Sequence, residues 1–359
     1  MYPSRSLPLL VSLVALAGGC NHTDPFPSGS PVDNGPRIPN PPARITFSTG
    51  FDLSPTWGPD GTRLAYSFAR EEGGLPADRC LAELPAAGGT RQEEKCLLAA
   101  DSDSIRALGP VSWSRFGEAA WMDARNLPTR RVPDRESLRI GTLAPNDTGV
   151  AVRTFPYPAG GNIHATATSI TWLSPSLIAY IGTDRLLVGR CSGCKVDTLL
   201  VGKDAVLLDL NASPITTTVI PNTSEVTSLT GSEDGTSIYF TRAGDSRVFQ
   251  RVLASGSESV LHDFGGPIAR DITVRGRLLT AVVGGKVSYG VDPIIGARQI
   301  DNGGLLTLVD LDTGNESVID IPDHLVQHAV LSPGGVRIAM EAVDTLQAPQ
   351  PDLWVVQLP

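Results

Sequence analysis

The stretch Ser54-Pro55-Thr56-Trp57-Gly58-Pro59-Asp60-Gly61-Thr62-Arg63-Leu64-Ala65-Tyr66 has the pattern of a short strand, a tight turn and a second, apolar strand. Weaker copies follow at 111–121, 169–181, 226–240 and 329–340, with a degenerate copy at 272–283. Their spacing of roughly 45 to 60 residues is close to the period of proteins built from repeated sheets. Asp can cap such a turn and Gly readily takes a positive φ, so we assign these residues a structural role.

The second half of each repeat predicts another pair of strands. The clearest example is 305–311, a turn at 312–315, and 317–321; the alternation of apolar and polar residues fits strands with one face more buried than the other. Four antiparallel strands per repeat make one blade of a β-propeller. We therefore predict an all-β, six-bladed propeller. Its last blade has three strands at the C-terminus, and we expect the segment 43–48 to supply the fourth and close the ring.

The repeats resemble those of the TolB-like, or WD40-like (PD40), propeller family. The resemblance depends on Trp57-Gly58-Pro59-Asp60-Gly61 and on Ser332-Pro333-Gly334-Gly335, each followed by an apolar strand. It covers roughly residues 43–359, the span of one six-bladed propeller. The resemblance implies the ring fold and partners such as peptidoglycan-associated lipoproteins. Propellers of this kind also occur as carbohydrate-associated proteins and as accessory domains of peptidases.

Residues 1–20 predict an export signal. Arg5 is followed by an apolar stretch at 7–16 that is too short to span a bilayer. The stretch ends in Leu16-Ala17-Gly18-Gly19-Cys20, which resembles the signal of a bacterial lipoprotein, in which the cysteine is acylated and becomes the first mature residue. The alternative is an ordinary secretory signal with an incidental Cys20. Asn21, rather than Asp, favours the outer membrane under the enterobacterial sorting rule.

Residues 21–42 have the composition of a tether. Seven prolines alternate with Ser, Gly, Asn and Asp, and few residues in this segment are apolar. Such a segment stays extended and solvated. We expect it to hold the propeller at 43–359 away from the lipid surface of the cell envelope.

Composition and motifs exclude several classes of function. The net charge of −9 gives no cationic footprint for nucleic acid. The sequence has no Gly-x-Ser-x-Gly elbow, no His-Glu-x-x-His motif, no P-loop and no dinucleotide fingerprint. We predict no cofactor and no metal. His324 and His328 would share a face only on a helix, so we consider metal binding by this pair a minor alternative.

The cysteines after Cys20 form two local pairs. Cys80 and Cys96 flank Ala87-Gly88-Gly89, and a hairpin centred on Gly88 would place them opposite each other, as a disulfide requires. Cys191 and Cys194 lie at the tip of a second predicted hairpin. Export to an oxidising compartment favours disulfides in both pairs. A metal site, a redox pair and free thiols are the alternatives.

Residues that precede the innermost strands of a propeller line one mouth of its central channel, where loops converge. By register these are Asp52, Arg106, His164, Glu225, Arg270, Asp271 and His328. They predict a polar funnel that binds a ligand; solvated loops or salt bridges within the ring are the alternative. Two insertions offer further surfaces. The segment 126–136 lies among arginines that can dock an acidic partner, with an exposed flexible loop as the alternative, and 286–301 is the second insertion.

These features favour a non-enzymatic, lipid-anchored propeller of the bacterial envelope that binds a protein partner or a glycan ligand. The rival class is a propeller enzyme, such as a glycan lyase or hydrolase, that uses the mouth of the channel. A purely structural surface protein is the third possibility. Converging histidines or carboxylates would favour the enzyme, and an apolar patch on one rim would favour a protein partner.

Overall fold

The computed structural model describes residues 41–47, 50–72, 75–96, 105–126, 133–155, 168–182, 204–285, 287–292, 296–301, 303–344 and 351–359. Cys20, Cys191 and Cys194 lie outside these ranges, as do the whole export signal and most of the tether. Within the described ranges every regular element is a β-strand. No helix long and apolar enough to cross a bilayer occurs among the residues described.

The described chain starts with the short strand β1 (Ala43–Arg44), which belongs to the last blade. The next three blades are antiparallel sheets whose strands follow one another from the ring axis outward. Blade 1 contains β2 (Phe51–Trp57), β3 (Arg63–Glu72), β4 (Leu75–Pro85) and β5 (Gln92–Lys95). Blade 2 contains β6 (Ile105–Trp113), β7 (Ala119–Asn126), β8 (Pro133–Gly141) and β9 (Val150–Phe155). Blade 3 contains β10 (Thr168–Ser174), β11 (Leu177–Gly182), β12 (Asp204–Asp209) and β13 (Thr216–Val219).

The remaining blades repeat this plan with one addition. Blade 4 contains β14 (Val226–Gly231), β15 (Ser237–Arg242), β16 (Arg247–Val252) and β17 (Glu258–Asp263). Blade 5 contains β18 (Ala269–Arg275), β19 (Leu278–Val283), β22 (Leu305–Asp310) and β23 (Asn315–Ile319), and the hairpin β20 (Val287–Asp292) and β21 (Gly296–Asp301) is inserted between its second and third strands. Blade 6 contains β24 (His324–Leu331), β25 (Arg337–Asp344) and β26 (Pro351–Gln357). The predicted all-β, six-bladed architecture is thus confirmed in the described part of the chain.

The ring closes through the two ends of the propeller. β1 pairs antiparallel with β26, with Ala43 opposite Val355. The ladder is shorter than the predicted segment 43–48, but the Ile45 amide still donates to the Leu353 carbonyl at 2.8 Å. The Leu353 amide in turn donates to Thr46 Oγ1 at 2.9 Å. The first strands contact one another in the order β2, β6, β10, β14, β18, β24 and back to β2, which completes the circle.

The second strand of a blade is more buried than its outer strand. The second strand β25 is buried at every residue except Asp344, because both of its faces pack against neighbouring blades. The outer strand β23 is exposed except at Ile319. One hydrophobic cluster fills each of the six interfaces between blades within the described residues. At the seam between blades 6 and 1, Trp57 packs in this cluster and donates its Nε1–H to the Val330 carbonyl at 2.9 Å.

A β-bulge or similar irregularity interrupts the pairing of the first two strands in every blade. In blade 1 the shift falls between Leu53 and Thr56, and Ser54 adopts a φ of 51°. In blade 2 it falls between Leu108 and Val111, where Gly109 has a φ of 109°. Gly109 has no room for a side chain, since an added Cβ would lie 1.8 Å from Ser67 Oγ. Bulges re-aim the side chains that follow them.

The first predicted cysteine pair forms a disulfide. Cys80 in β4 and Cys96, which follows β5, have Cα atoms 4.6 Å apart and are bonded through their sulfurs. The ladder around the bond places Leu81 opposite Lys95, as a hairpin centred on Gly88 requires. The bond therefore fixes the outer strand of blade 1 to its neighbour.

Candidate functional site

A cavity of about 580 Å³ occupies the centre of the ring. The first strand of every blade contributes to its wall, from the middle of the strand to the turn that follows it. Its charged and imidazole side chains are Arg79, Arg115, Glu233, Asp271, Arg275 and His328. Serine, threonine, proline and tryptophan side chains provide most of the remaining wall. A space of this size and mixed polarity is typical of small-ligand sites.

Two of the seven residues predicted at the mouth, Asp271 and His328, line the cavity. Asp52 instead lies inside blade 1, with 0% exposure and Arg91 Nη2 at 3.7 Å from its Oδ1. Glu225 is exposed and does not line the cavity. Arg270 Nη1 donates to the Gly303 carbonyl at 3.3 Å. His164 and the side chain of Arg106 lie outside the part of the chain that is described.

The bulges explain this distribution. The first strands of blades 1 and 6 start earlier than predicted, so Asp52 is the second residue of β2 and His328 lies in the middle of β24. Each bulge then inserts a residue and changes which side chains face the axis. The cavity therefore starts at the bulges and opens toward the turns that follow the first strands. Asp52, Glu225 and Arg270 lie at the other end of these strands, close to where the strands start.

The Asp271 carboxylate joins three blades. Its Oδ1 accepts a hydrogen bond from Ser228 Oγ of blade 4 at 3.2 Å. Its Oδ2 accepts one from the Ala329 amide of blade 6 at 2.9 Å and lies 2.8 Å from His328 Nδ1. Ser228 Oγ also accepts a hydrogen bond from the Ile272 amide at 3.0 Å. Asp271 is thus a structural link between blades as well as part of the cavity wall.

His328 carries a positive charge at neutral pH. Burial among the strands would lower its pKa, but the charge of Asp271, the hydrogen bond to Asp271 and the charge of Glu341 together raise the pKa to about 9. The His328 imidazole also donates a hydrogen bond to the carbonyl of Pro55. About a third of the side chain (32%) is exposed, and this part faces the cavity, which the ring of blades encloses. The two N–H groups of the imidazolium are therefore both used by acceptors of the protein.

Glu341 extends this network to blade 1. Its Oε2 accepts a hydrogen bond from the Ser54 amide at 2.7 Å, across the seam where the ring closes. The side chain is buried, and burial raises its pKa to about 7 although Ser54, His328 and Arg79 act in the opposite direction. The chain of contacts Ser228, Asp271, His328, Glu341 and Ser54, which we call the seam network, connects blades 4, 5, 6 and 1.

A second polar group lies at the open end of the cavity, in the turns after the first strands. The Arg115 guanidinium donates to the Glu233 carbonyl and reaches from blade 2 to blade 4. Glu233 Oε1 accepts a hydrogen bond from the Gly276 amide of blade 5 at 3.1 Å. Arg275 Nη1 donates to the Val274 carbonyl at 3.0 Å. Burial lowers the pKa of Arg275. The charge of Glu233 raises this pKa, and the charge of Arg115 lowers it further.

The repeats themselves contain the signal for these missed residues. Pro59, Pro175 and Pro333 follow the Gly or Ser that opens the turn in three of the copies. Arg115 and Glu233 occupy the equivalent position in two others. A charged residue at a position that is otherwise a turn-forming proline has no structural reason in the turn itself. Comparison of the copies could therefore have placed both residues at the mouth.

The described residues contain no group of three or more His, Cys, Asp or Glu side chains that could hold a metal ion. His324 and His328 both lie on β24. Four residues along a strand span about 13 Å, too far for two ligands of one ion. His324 Nδ1 lies 2.7 Å from the Pro322 carbonyl oxygen. The His324 imidazole packs edge-on against Trp354, with 4.8 Å between the ring centroids.

No protein-family model and no curated protein matches the sequence. Solved structures match the fold. TolB from Acinetobacter baumannii is 15% identical with a TM-score of 0.53, over 82% of this chain and 66% of TolB, so the chain spans just under two thirds of that protein. A luciferin-regenerating enzyme is 11% identical with a TM-score of 0.52, over 89% of this chain and 96% of the enzyme. The calcium-binding protein regucalcin from Agrobacterium tumefaciens is 13% identical with a TM-score of 0.52, over 89% of this chain and 94% of regucalcin. Likeness at these identities concerns the fold alone, and the chain has a TolB-like six-bladed β-propeller fold.

Proposed function

We propose that the protein is a lipid-anchored propeller of the bacterial envelope that binds a ligand or a partner protein at its central cavity and catalyses no reaction. The signal ending at Cys20 and the proline-rich segment 21–42 support anchoring and a spacer. The cavity supports binding at the ring axis. The TolB-like fold supports an envelope protein as the partner, because the resemblance in sequence implies partners of that kind.

One observation carries the choice of binding over catalysis. The carboxylate of Asp271 and the imidazole of His328 in the cavity wall are engaged by the protein itself. Asp271 accepts hydrogen bonds from Ser228, Ala329 and His328, and His328 donates to Asp271 and Pro55. A general acid or base must be within hydrogen-bond reach of the substrate and free to move a proton. These groups hold the blades together instead.

The pair of Asp271 and His328 also favours a second candidate, an enzyme acting on a glycan. A charged imidazole beside a carboxylate at 2.8 Å can act as a general acid in other settings. However, a pKa of about 9 leaves little neutral imidazole to act as a base near pH 7. The binding scaffold therefore remains the better-supported function.

The anchor is tested by Cys20→Ala. We expect the wild-type protein to incorporate labelled palmitate and to enter the detergent phase on phase partitioning, because two or more acyl chains give stable membrane binding. Cys20→Ala should incorporate no label. Ser28→Ala in the tether should behave as the wild type. If Cys20→Ala still incorporates label, or if the wild type never does, the lipoprotein assignment is wrong.

The cavity is tested by filling it. Ser112 lines the cavity, so we expect Ser112→Phe to occupy part of the space and abolish capture of the envelope partner. Ser259→Phe adds the same bulk at an exposed position of β17 and should leave capture unchanged. The measurement is crosslinking in intact cells, followed by affinity purification and mass spectrometry. A partner that Ser112→Phe retains would place the interaction elsewhere.

A further inference from the structure

The charge of the cavity is opposite to that of the whole protein. The chain has a formal net charge of −9. Among the described residues of the cavity wall, however, the cations outnumber the carboxylates. The cations are Arg79, Arg115, Arg275 and the imidazolium of His328, and the carboxylates are Asp271 and Glu233. Glu341 adds one negative charge behind the wall when it is ionised, and the balance remains positive. An enclosed space with a net charge raises the local concentration of ligands of the opposite sign.

Two of the four cations lie at the mouth. Arg115 and Arg275 extend from blades 2 and 5, which lie opposite each other in the ring. Each side chain has one hydrogen bond, to the Glu233 carbonyl and the Val274 carbonyl respectively. Neither forms an ion pair within the part of the chain described. Glu233 is the carboxylate between them, and it accepts a bond from the Gly276 amide.

One partly buried guanidinium, that of Arg275, and one exposed guanidinium, that of Arg115, share a single carboxylate, so this arrangement is electrostatically incomplete. Burial lowers the pKa of Arg275, the charge of Glu233 raises it and the charge of Arg115 lowers it further, so that the charged form carries a net penalty. An added anion would relieve this penalty. Guanidinium groups bind carboxylates through two parallel hydrogen bonds, and the donors not used by backbone carbonyls are available for them.

We propose that the mouth of the cavity binds a small organic molecule with carboxylate groups, held between Arg115 and Arg275. The proposal rests on the proposed binding function and names the class of ligand. Phosphate would satisfy the same guanidinium groups. The wall below the mouth favours an organic acid, because the partly exposed side chains of Trp113, Trp172 and Val330 give it apolar surface that a carbon skeleton can cover.

The probes are the straight-chain dicarboxylates from succinate to suberate, titrated into the full mature protein by calorimetry. We expect at least one of them to bind saturably, whereas its uncharged diamide does not. Arg115→Gln and Arg275→Gln should each weaken binding by about tenfold or more, the effect of losing one charge-assisted hydrogen bond. Glu233→Gln should strengthen binding, because it removes the competing carboxylate and keeps an acceptor for the Gly276 amide.

The matched control is Arg277→Gln. Arg277 lies two residues from Arg275, is 65% exposed and does not line the cavity, so this variant should bind as the wild type does. The proposal is overturned if no dicarboxylate saturates, if inorganic phosphate binds more tightly than every dicarboxylate, or if Arg277→Gln weakens binding as much as Arg275→Gln. Weakened binding in Glu233→Gln would also overturn it, and this readout does not depend on the stability of the arginine variants.

The two proposals fail separately. If Ser112→Phe loses the envelope partner while no dicarboxylate binds, the scaffold function stands and the ligand class is wrong. If dicarboxylates bind as expected and crosslinking identifies no partner that depends on the cavity, the ligand class stands and the partner function is wrong.

Discussion

Asp271→Ala is expected to lower the free energy of unfolding by about 3 kcal/mol, the lower end of the range for removing one partner of a buried ion pair, because the side chains of Asp271 and His328 are 14% and 32% exposed. The carboxylate accepts hydrogen bonds from Ser228 and the Ala329 amide and faces the imidazolium of His328. Truncation leaves all of these donors without their acceptor between the strands. The same substitution removes one link from blade 5 to each of its neighbours, whereas the Ile272 amide still donates to Ser228 Oγ and Thr273 Oγ1 to the Ala329 carbonyl. Equilibrium unfolding in urea measures the loss.

Two variants show whether the loss belongs to this contact. Asp320→Ala removes a carboxylate from an exposed position that follows β23, and we expect a change within about 0.5 kcal/mol. Asp271→Asn keeps an oxygen that can accept one hydrogen bond but removes the charge, so its loss should lie between the other two. A wild-type stability for Asp271→Ala would mean that the seam network does not hold the blades together.

The fold could be predicted because its determinants are local. Each turn after a first strand is built from Pro, Asp, Ser or Gly, and such residues specify a turn whatever surrounds them. The second strands are rich in apolar residues, since both faces of a blade are covered by its neighbours; Leu177 to Ile181 in β11 is the clearest example. The closing strand could be inferred from the missing fourth strand of blade 6. Only its length was overestimated. The ladder ends at Arg44, and Thr46 accepts the next hydrogen bond from the Leu353 amide through its side chain instead of its backbone.

The site could be predicted only in part because its determinants are not local. A bulge leaves no periodic signal in the sequence, and a shift of one residue reverses the faces of a strand. The prediction therefore placed Asp52 at the mouth, although the structure buries it in blade 1 against Arg91. Asp271 and His328 line the cavity, but the partners that determine their chemistry come from other blades. No spacing along the chain indicates that Glu341 meets Ser54 across the seam.

The seam network also predicts how stability depends on pH. His328 has a pKa of about 9 in the folded protein, against an ordinary value of 6.5. The folded state thus holds this proton more tightly than the unfolded state, so the contribution of His328 is complete below pH 6.5 and is lost as the pH rises through 9. The pKa of Glu341 is likewise raised, from 4.5 to about 7, so its contribution is complete below pH 4.5 and is lost as the pH rises through 7.

Both groups stabilise the folded protein more at lower pH, so the free energy of unfolding should fall as the pH rises from 4.5 to 9. The slope for one proton is at most about 1.4 kcal/mol per pH unit. We expect His328→Gln to remove the fall in the upper window. Glu341→Gln should remove it in the lower window, and its amide oxygen can still accept the Ser54 hydrogen bond. Urea unfolding at a series of pH values measures both slopes.

The control for these slopes is His262→Gln, which removes a histidine of the outer strand β17, far from the ring axis, where its Nε2 lies 2.9 Å from Glu316. This variant should keep the wild-type slope of the free energy of unfolding above pH 6.5, because the proton lost in this range is bound to His328. If His328→Gln and the wild type have the same slope, His328 is not the protonated group. The imidazolium would then have to be removed from the cations of the cavity, whereas the two arginines at the mouth would remain.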